Sequence, residues 1–160
     1  MKLLAFMQNP WFPEGTALRM IMDYRDNQDF HRRMLMATMS GSRLQSAFKE
    51  LFIRIIWDNV QWRPDWMLNG VITPDYLHVQ KSLNTHQPTI VITFGNVAYD
   101  CLSSKQIQPC QSWDGTVMRC HHPNARFRTQ ADLDKFAYSV RMEMLRRELH
   151  GESTHVEDVE

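Results

Sequence analysis

The sequence predicts an α/β domain of three layers, α/β/α, around a central four-stranded, mostly parallel sheet. Three observations carry this. Four short apolar runs, Leu3–Met7, Arg54–Trp57, Thr89–Thr93 and Val117–Cys120, have strand length. Helical patterns separate them, and strands alternating with helices build a parallel sheet covered on both faces. The clearest run, TIVITFG, is β-branched, lacks strict alternation and is closed by Gly95, as a strand buried on both faces should be.

Taken in order, Leu3–Met7 is the first strand. It imitates the start of a signal peptide, but its apolar run ends at Gln8-Asn9-Pro10 and is too short for one. The stretch from Ala17 to Met39 mixes methionines with charges and reads as helical in its second half; its methionines suit a core or a widened pocket. In SGSRLQSAFKELF, Ser42 stands three residues before Gln45, a capping box, with Leu44, Ala47, Phe48 and Leu51 on one face. Arg54–Trp57 is the second strand. Thr73 then caps a helix with Pro74 at its first position. The third and fourth strands follow. The last helix starts at Thr129, with Leu133, Phe136, Ala137, Val140 and Met144 at core spacing and Arg141, Arg146 and Arg147 turned to water or a partner.

At 160 residues and 43% hydrophobic content the chain suits one domain, able to bury roughly 70% of its unfolded surface. The domain is expected over 1–149, with 150–160 as an acidic disordered tail. Formal net charge is zero, but the last ten residues hold four acids and no Lys or Arg. The body therefore carries 18 basic against 14 acidic side chains, a mild surplus that suits a polyanion. Three cysteines without C-x-x-C spacing indicate neither a disulfide framework nor a zinc site, so no metal is expected and the cytoplasm is the default compartment. No run is long enough to span a membrane, so no membrane partner is expected.

An open parallel sheet binds ligands beyond the carboxyl ends of its strands. The residues there are Gln8-Asn9-Pro10, Asp58-Asn59, Gly95-Asn96 and His121-His122-Pro123-Asn124. Each exit carries an amide or an imidazole, which places a candidate site at that rim. The plainer readings are an ordinary turn at Asn9-Pro10, surface histidines, an Asn59 that caps its own loop, and Trp57, Trp62 and Trp66 as packing.

In that order and at those strand ends, MQNPWF, SGSRLQSAF, IIWDNVQWRP, IVITFGNVAYDCL and HHPNARFRTQADLDKFA resemble the motifs of the uracil-DNA glycosylase superfamily, over residues 2 to 149. The resemblance implies a monofunctional DNA glycosylase acting on a flipped pyrimidine nucleotide, uracil or a 5-substituted or modified cytosine, in repair or in defence against phages. It implies neither cofactor nor metal, and a monomer. By this likeness Asn9 positions the attacking water and His122 donates to the developing oxyanion. Gln8, Trp11, Phe12 and Asn59 hold the base, Trp11 and Phe12 as walls or stacking rings and Asn59 as the reader of its edge. Gly95, Asn96, Arg119, Asn124, Ala125, Arg126 and Arg128 face the DNA, with Ala125 and Arg126 in the gap left by the flipped base. The sequence departs from the pattern at several points, and no single branch of the superfamily fits throughout: its three cysteines do not have the spacing of the iron–sulfur branch. Asn9 stands where the most active branch has an acid, and Asn124 where a serine is usual. The other reading left open is a non-catalytic module that recognises flipped or modified bases.

Overall fold

The structure, a computed structural model, describes residues 1–125 and 128–159, with side chains as far as His150. Four parallel strands, β1 (Leu3–Met7), β2 (Ile56–Asn59), β3 (Ile90–Phe94) and β4 (Val117–Cys120), form one sheet in the order β2-β1-β3-β4. Phe6 pairs with Asp58 on one side and Thr93 on the other. From β1 the chain builds outward first to β2, then back across to β3 and β4, so the strand order reverses between β1 and β3. A crevice is expected above such a reversal.

Seven α-helices are found among the described residues: α1 (Leu18–Asp26), α2 (Gln28–Met36), α3 (Met39–Phe48), α4 (Leu51–Arg54), α5 (Tyr76–His86), α6 (Asn96–Leu102) and α7 (Gln130–Val159). Alternation along β1 sorts the two faces. Leu3, Ala5 and Met7 join a core with α3, α4 and α7, where Leu44, Phe48, Trp57, Phe94, Leu133 and Val140 meet. Leu4 and Phe6 join a second core with Val79 and Leu83 of α5 and Ala98 and Cys101 of α6. These are the three layers. Helices α1 and α2 lie at the end of the sheet, around a third cluster of Phe12, Ile21, Tyr24 and Trp62.

Several elements depart from expectation, each for a local reason. The second strand is displaced two residues along the chain because Leu51–Arg54 remains helical, with the Ile55 N–H donating to the Leu51 carbonyl. The third is displaced by one, to end on Phe94. Helix α3 is capped by Thr38, whose hydroxyl accepts from the Gly41 N–H at 3.0 Å, so Ser42 and Gln45 lie inside the helix and form no capping box. The α5 cap is Asp75, not Thr73, because its carboxylate reaches the His78 N–H. The first half of residues 17–39 is helical as well as the second. Asn27 breaks the run, and its side chain caps α2 by accepting from the Phe30 N–H.

The last helix presents Leu133, Phe136, Ala137, Val140 and Met144 to the core as its spacing requires. Two of its arginines are not turned to water. Arg141 donates to the carbonyls of Ala47 and Phe48, satisfying the last turn of α3, and Arg147 donates to the Thr89 carbonyl. The tail expected from residue 150 falls where no side chain beyond His150 is described. No helix among the described residues is long and apolar enough to cross a membrane.

Candidate functional site

A cavity of about 400 Å³ opens at the carboxyl rim of the sheet. Its wall takes Gln8, Asn9 and Trp11 from the β1 exit, Tyr24 from α1, His31 and Met34 from α2, Met39 and Ser40 from the start of α3, Asn59 from β2, and His122 and Asn124 from the loop after β4. Three residues singled out by type, Asn9, Asn59 and His122, thus share one space, and the volume lies within the range of small-molecule sites, roughly 300–1,000 Å³. Helices α2 and α3 can close this wall because position 41 is glycine; a Cβ there would overlap the Leu35 carbonyl.

The Asn9 amide is fixed from outside the cavity. Its Nδ2 donates to Asp65 Oδ1 at 2.6 Å and to the Arg63 carbonyl at 3.2 Å. Both amide protons are therefore used, which leaves Oδ1 as the group Asn9 can offer; it accepts a long hydrogen bond from Gln8 Nε2 at 3.4 Å. Asp65 was not anticipated. It reaches Asn9 across 56 positions, from a 3₁₀ turn over Asp65–Met67, and nothing local marks it.

Asn59 is 4% exposed and is likewise held by its amide nitrogen. Nδ2 donates to the Tyr24 hydroxyl at 3.0 Å and lies 3.3 Å from His31 Nε2. With the Asn59 donors so engaged, its Oδ1 is the atom left to read a ligand. Burial drives the Tyr24 phenol upward, so it stays protonated, and drives His31 down to about 4, against the opposing pull of Asp58. His31 is thus neutral, with Nε2 accepting from Asn59 and Nδ1 carrying the proton. That buried Nδ1 has no partner among the described residues.

The His31 shift has a consequence for stability. Unfolded, the imidazole titrates near 6.5, whereas folded it resists protonation until about 4. As pH falls through that window the unfolded chain gains a proton that the native one does not, and His31 costs up to roughly 3 kcal/mol of stability. Urea midpoints should therefore drop between pH 6.5 and 4.5. The drop should be clearly smaller in His31→Gln, and an unchanged slope in that variant would assign the acid loss elsewhere.

Behind Asn59, on the opposite side of β2, Asp58 accepts from His78 Nε2 at 2.9 Å, from the Ser82 hydroxyl at 2.7 Å and from the Asn59 N–H at 2.8 Å. Burial works to raise the Asp58 carboxyl, but the His78 hydrogen bond and charge, helped by Ser82, hold it below its ordinary value. Burial works to lower His78, and Asp58 reverses this, so His78 is raised. The strand position of Asn59 is clamped from the rear by this group.

His122 is set by its own loop. Nδ1 accepts from the Asn124 N–H at 3.1 Å and the carbonyl accepts from the Ala125 N–H at 2.9 Å. Burial, then the neighbouring His121, pushes its pKa down, so the ring is neutral with its proton on Nε2, a donor. The loop is fastened to the other wall: Arg43 donates to the Pro123 carbonyl at 2.9 Å and Asn124 Nδ2 to the Ser40 hydroxyl at 2.9 Å. Gly95 passes behind His122 at φ 90°, a backbone shape suited to glycine.

The remaining residues divide. Trp11 stands at the rim, 71% exposed, whereas Phe12 is 2% exposed, packed edge-on against Tyr24, and does not line the cavity. Asn96, Arg119 and Arg128 line a second, shallower groove together with His121 and Lys135. There Arg119 donates to Asn96 Oδ1 at 2.8 Å and covers the Tyr99 ring. The two spaces adjoin at the consecutive residues His121 and His122. Arg126 lies outside the described residues. No group of three or more side chains suited to a metal ion occurs among the described residues. Compared with protein-family models, with curated proteins and with solved structures, the chain matches none.

Proposed function

We propose that the chain is a monofunctional DNA glycosylase that hydrolyses the bond between an extruded pyrimidine and its deoxyribose. The observation that carries this reading is the shared cavity of Asn9, Asn59 and His122 at the carboxyl rim of a parallel sheet. Extruding a nucleotide costs a few kcal/mol, which stacking and hydrogen bonds in a fitted pocket must offset. Trp11 is the ring available at the mouth for stacking, and Asn59 Oδ1 the acceptor for an N–H on the base edge. As the glycosidic bond breaks, negative charge gathers on the base and positive charge on the sugar. A neutral imidazole donating through Nε2 stabilises the former. The Asn9 carbonyl oxygen, fixed by Asp65, orients a water toward the latter. The Arg119 and Arg128 groove gives the phosphates a track beside the pocket.

The test is a panel of DNAs carrying uracil, thymine mismatches, hydroxymethylcytosine or glucosylated hydroxymethylcytosine, treated with alkali to cut at abasic sites. Strand cleavage on at least one substrate is expected, and none on any would sink the catalytic reading. His122→Ala should slow base release by about 10²-fold with little loss of folding, because the donor acts on charge that develops in the transition state. Equal losses of folding and activity would make the histidine structural.

One observation favours a second reading. Among the described residues lining the cavity there is no carboxylate. A pocket without an acid to activate water suits a module that binds a flipped or modified base without cutting it, and retained binding with no base release in any form would establish that alternative.

A further inference from the structure

We propose that the outer face of α7 is the interface of an antiparallel homodimer. This goes beyond the reading of the cavity and departs from the monomer expected at the outset. Helix α7 is apolar on two opposite sides. Leu133, Ala137, Val140 and Met144 are buried in the core. About half a turn away, Tyr138, Met142, Leu145 and Leu149 are 61%, 46%, 47% and 59% exposed. The solvent side of a surface helix is ordinarily polar.

The occupant is specified by spacing and charge. Positions 138, 142, 145 and 149 follow steps of four, three and four, the pattern by which one α-helix packs along another. The stripe is flanked by Arg141 and Glu148 on one side and by Ser139 and Arg146 on the other. A second copy lying parallel would set Arg141 of each chain beside Arg146 of the other, two repulsive contacts. Turned antiparallel, Tyr138 faces Leu149 of the second copy and Met142 faces Leu145, while Arg141 meets Glu148 on both sides of the axis. Glu148 is exposed, and the Arg141 bonds to α3 use only one of its terminal nitrogens. Such a pairing is self-complementary and closes on itself about a two-fold axis.

The stripe is short, about 17 Å along the helix axis, so the dimer is weak and depends on concentration. No residue lining the cavity lies on α7, so each protomer keeps its own opening. Sedimentation of the full chain over a series from about 1 to 100 µM should show the mass rising from 19.0 kDa toward twice that value. Leu145→Glu should remain at the lower mass throughout, with an unchanged far-UV spectrum and melting curve, since the side chain is exposed in the protomer. Glu148→Arg, which places arginine against arginine only in the antiparallel pairing, should weaken the dimer about tenfold. A wild-type chain that stays at 19.0 kDa overturns the proposal, as does a dimer that survives Leu145→Glu or is indifferent to Glu148→Arg.

Discussion

Replacing Asn9 by alanine is expected to slow base release about 10²–10³-fold while leaving DNA binding nearly intact. The amide is the one polar group of the β1 exit whose donor side is fully engaged away from the cavity, at Asp65 and the Arg63 carbonyl. Its oxygen is thereby aimed, and alanine removes the oxygen without touching the phosphate groove or Asn59. Asp65 is exposed enough to be solvated once its partner is gone, so the stability cost should stay near 1 kcal/mol. The anchor makes a sharper test available. Asn9→Asp supplies an acid for activating water, but it sets a second carboxylate beside Asp65, so the hydrogen bond that aims the group is replaced by repulsion. Asn9→Asp alone should therefore give no gain. Asn9→Asp with Asp65→Asn, which preserves the hydrogen bond in reverse, should exceed it by tenfold or more. Single-turnover rates and filter-binding titrations on the same duplex decide this. Weakened binding in step with weakened release would make Asn9 a contact residue.

Asp58→Ala should destabilise the fold by about 3–5 kcal/mol near neutral pH, as losing one half of a buried pair generally does. The variant deprives His78, Ser82 and the Asn59 N–H of their common acceptor. Its pH dependence is the more telling readout. In the wild type the raised His78 contributes stability that is fully present below pH 6.5 and fades as pH rises through its folded pKa. The lowered Asp58 contributes stability that is present above its unfolded value of 3.8 and fades as pH falls through its folded pKa. Without Asp58, burial is the leading influence on His78, the charge of Arg25 adds to it and that of Asp75 opposes it, so His78 is lowered. The sign of its contribution then reverses, and the variant should lose stability on going from pH 8 to pH 6. Denaturant midpoints across that interval check the reversal, and a parallel offset at all pH values would mean that the pair is not an ion pair.

The sheet was legible because it is written in apolar runs: β1 and β4 begin and end at the predicted residues, and Gly95 closes β3. Its edges were less so. FIRII carries helical and strand signals at once, and the choice between them depends on Trp57, which is buried between Phe52 and Phe94 and donates its indole N–H to the Phe52 carbonyl. The gathering of Asn9, Asn59 and His122 at one rim followed from strand topology, which a parallel reading supplies. Tyr24, His31, Asp58 and Asp65 were not legible in any role. Each matters through a partner distant in the chain, as Asn59 is 35 positions from Tyr24 and 28 from His31. No spacing announces such meetings. Phe12 failed in the opposite sense: an aromatic beside a site is equally suited to packing under it, and Tyr24 and Ile21 claim it.

Asp58 and Asn59 are neighbours in β2, and the pleat sends one behind the sheet and the other into the pocket. Adding one residue in the link between α4 and β2 would move Asp58 into the place of Asn59, and deleting one would move Asn59 into the place of Asp58. The insertion would deliver a negative charge to the binding chamber, and the deletion would strand an amide against His78. The chemistry at this end of the molecule is thus written in the parity of a four-residue strand, and indels there should be far less tolerated than substitutions.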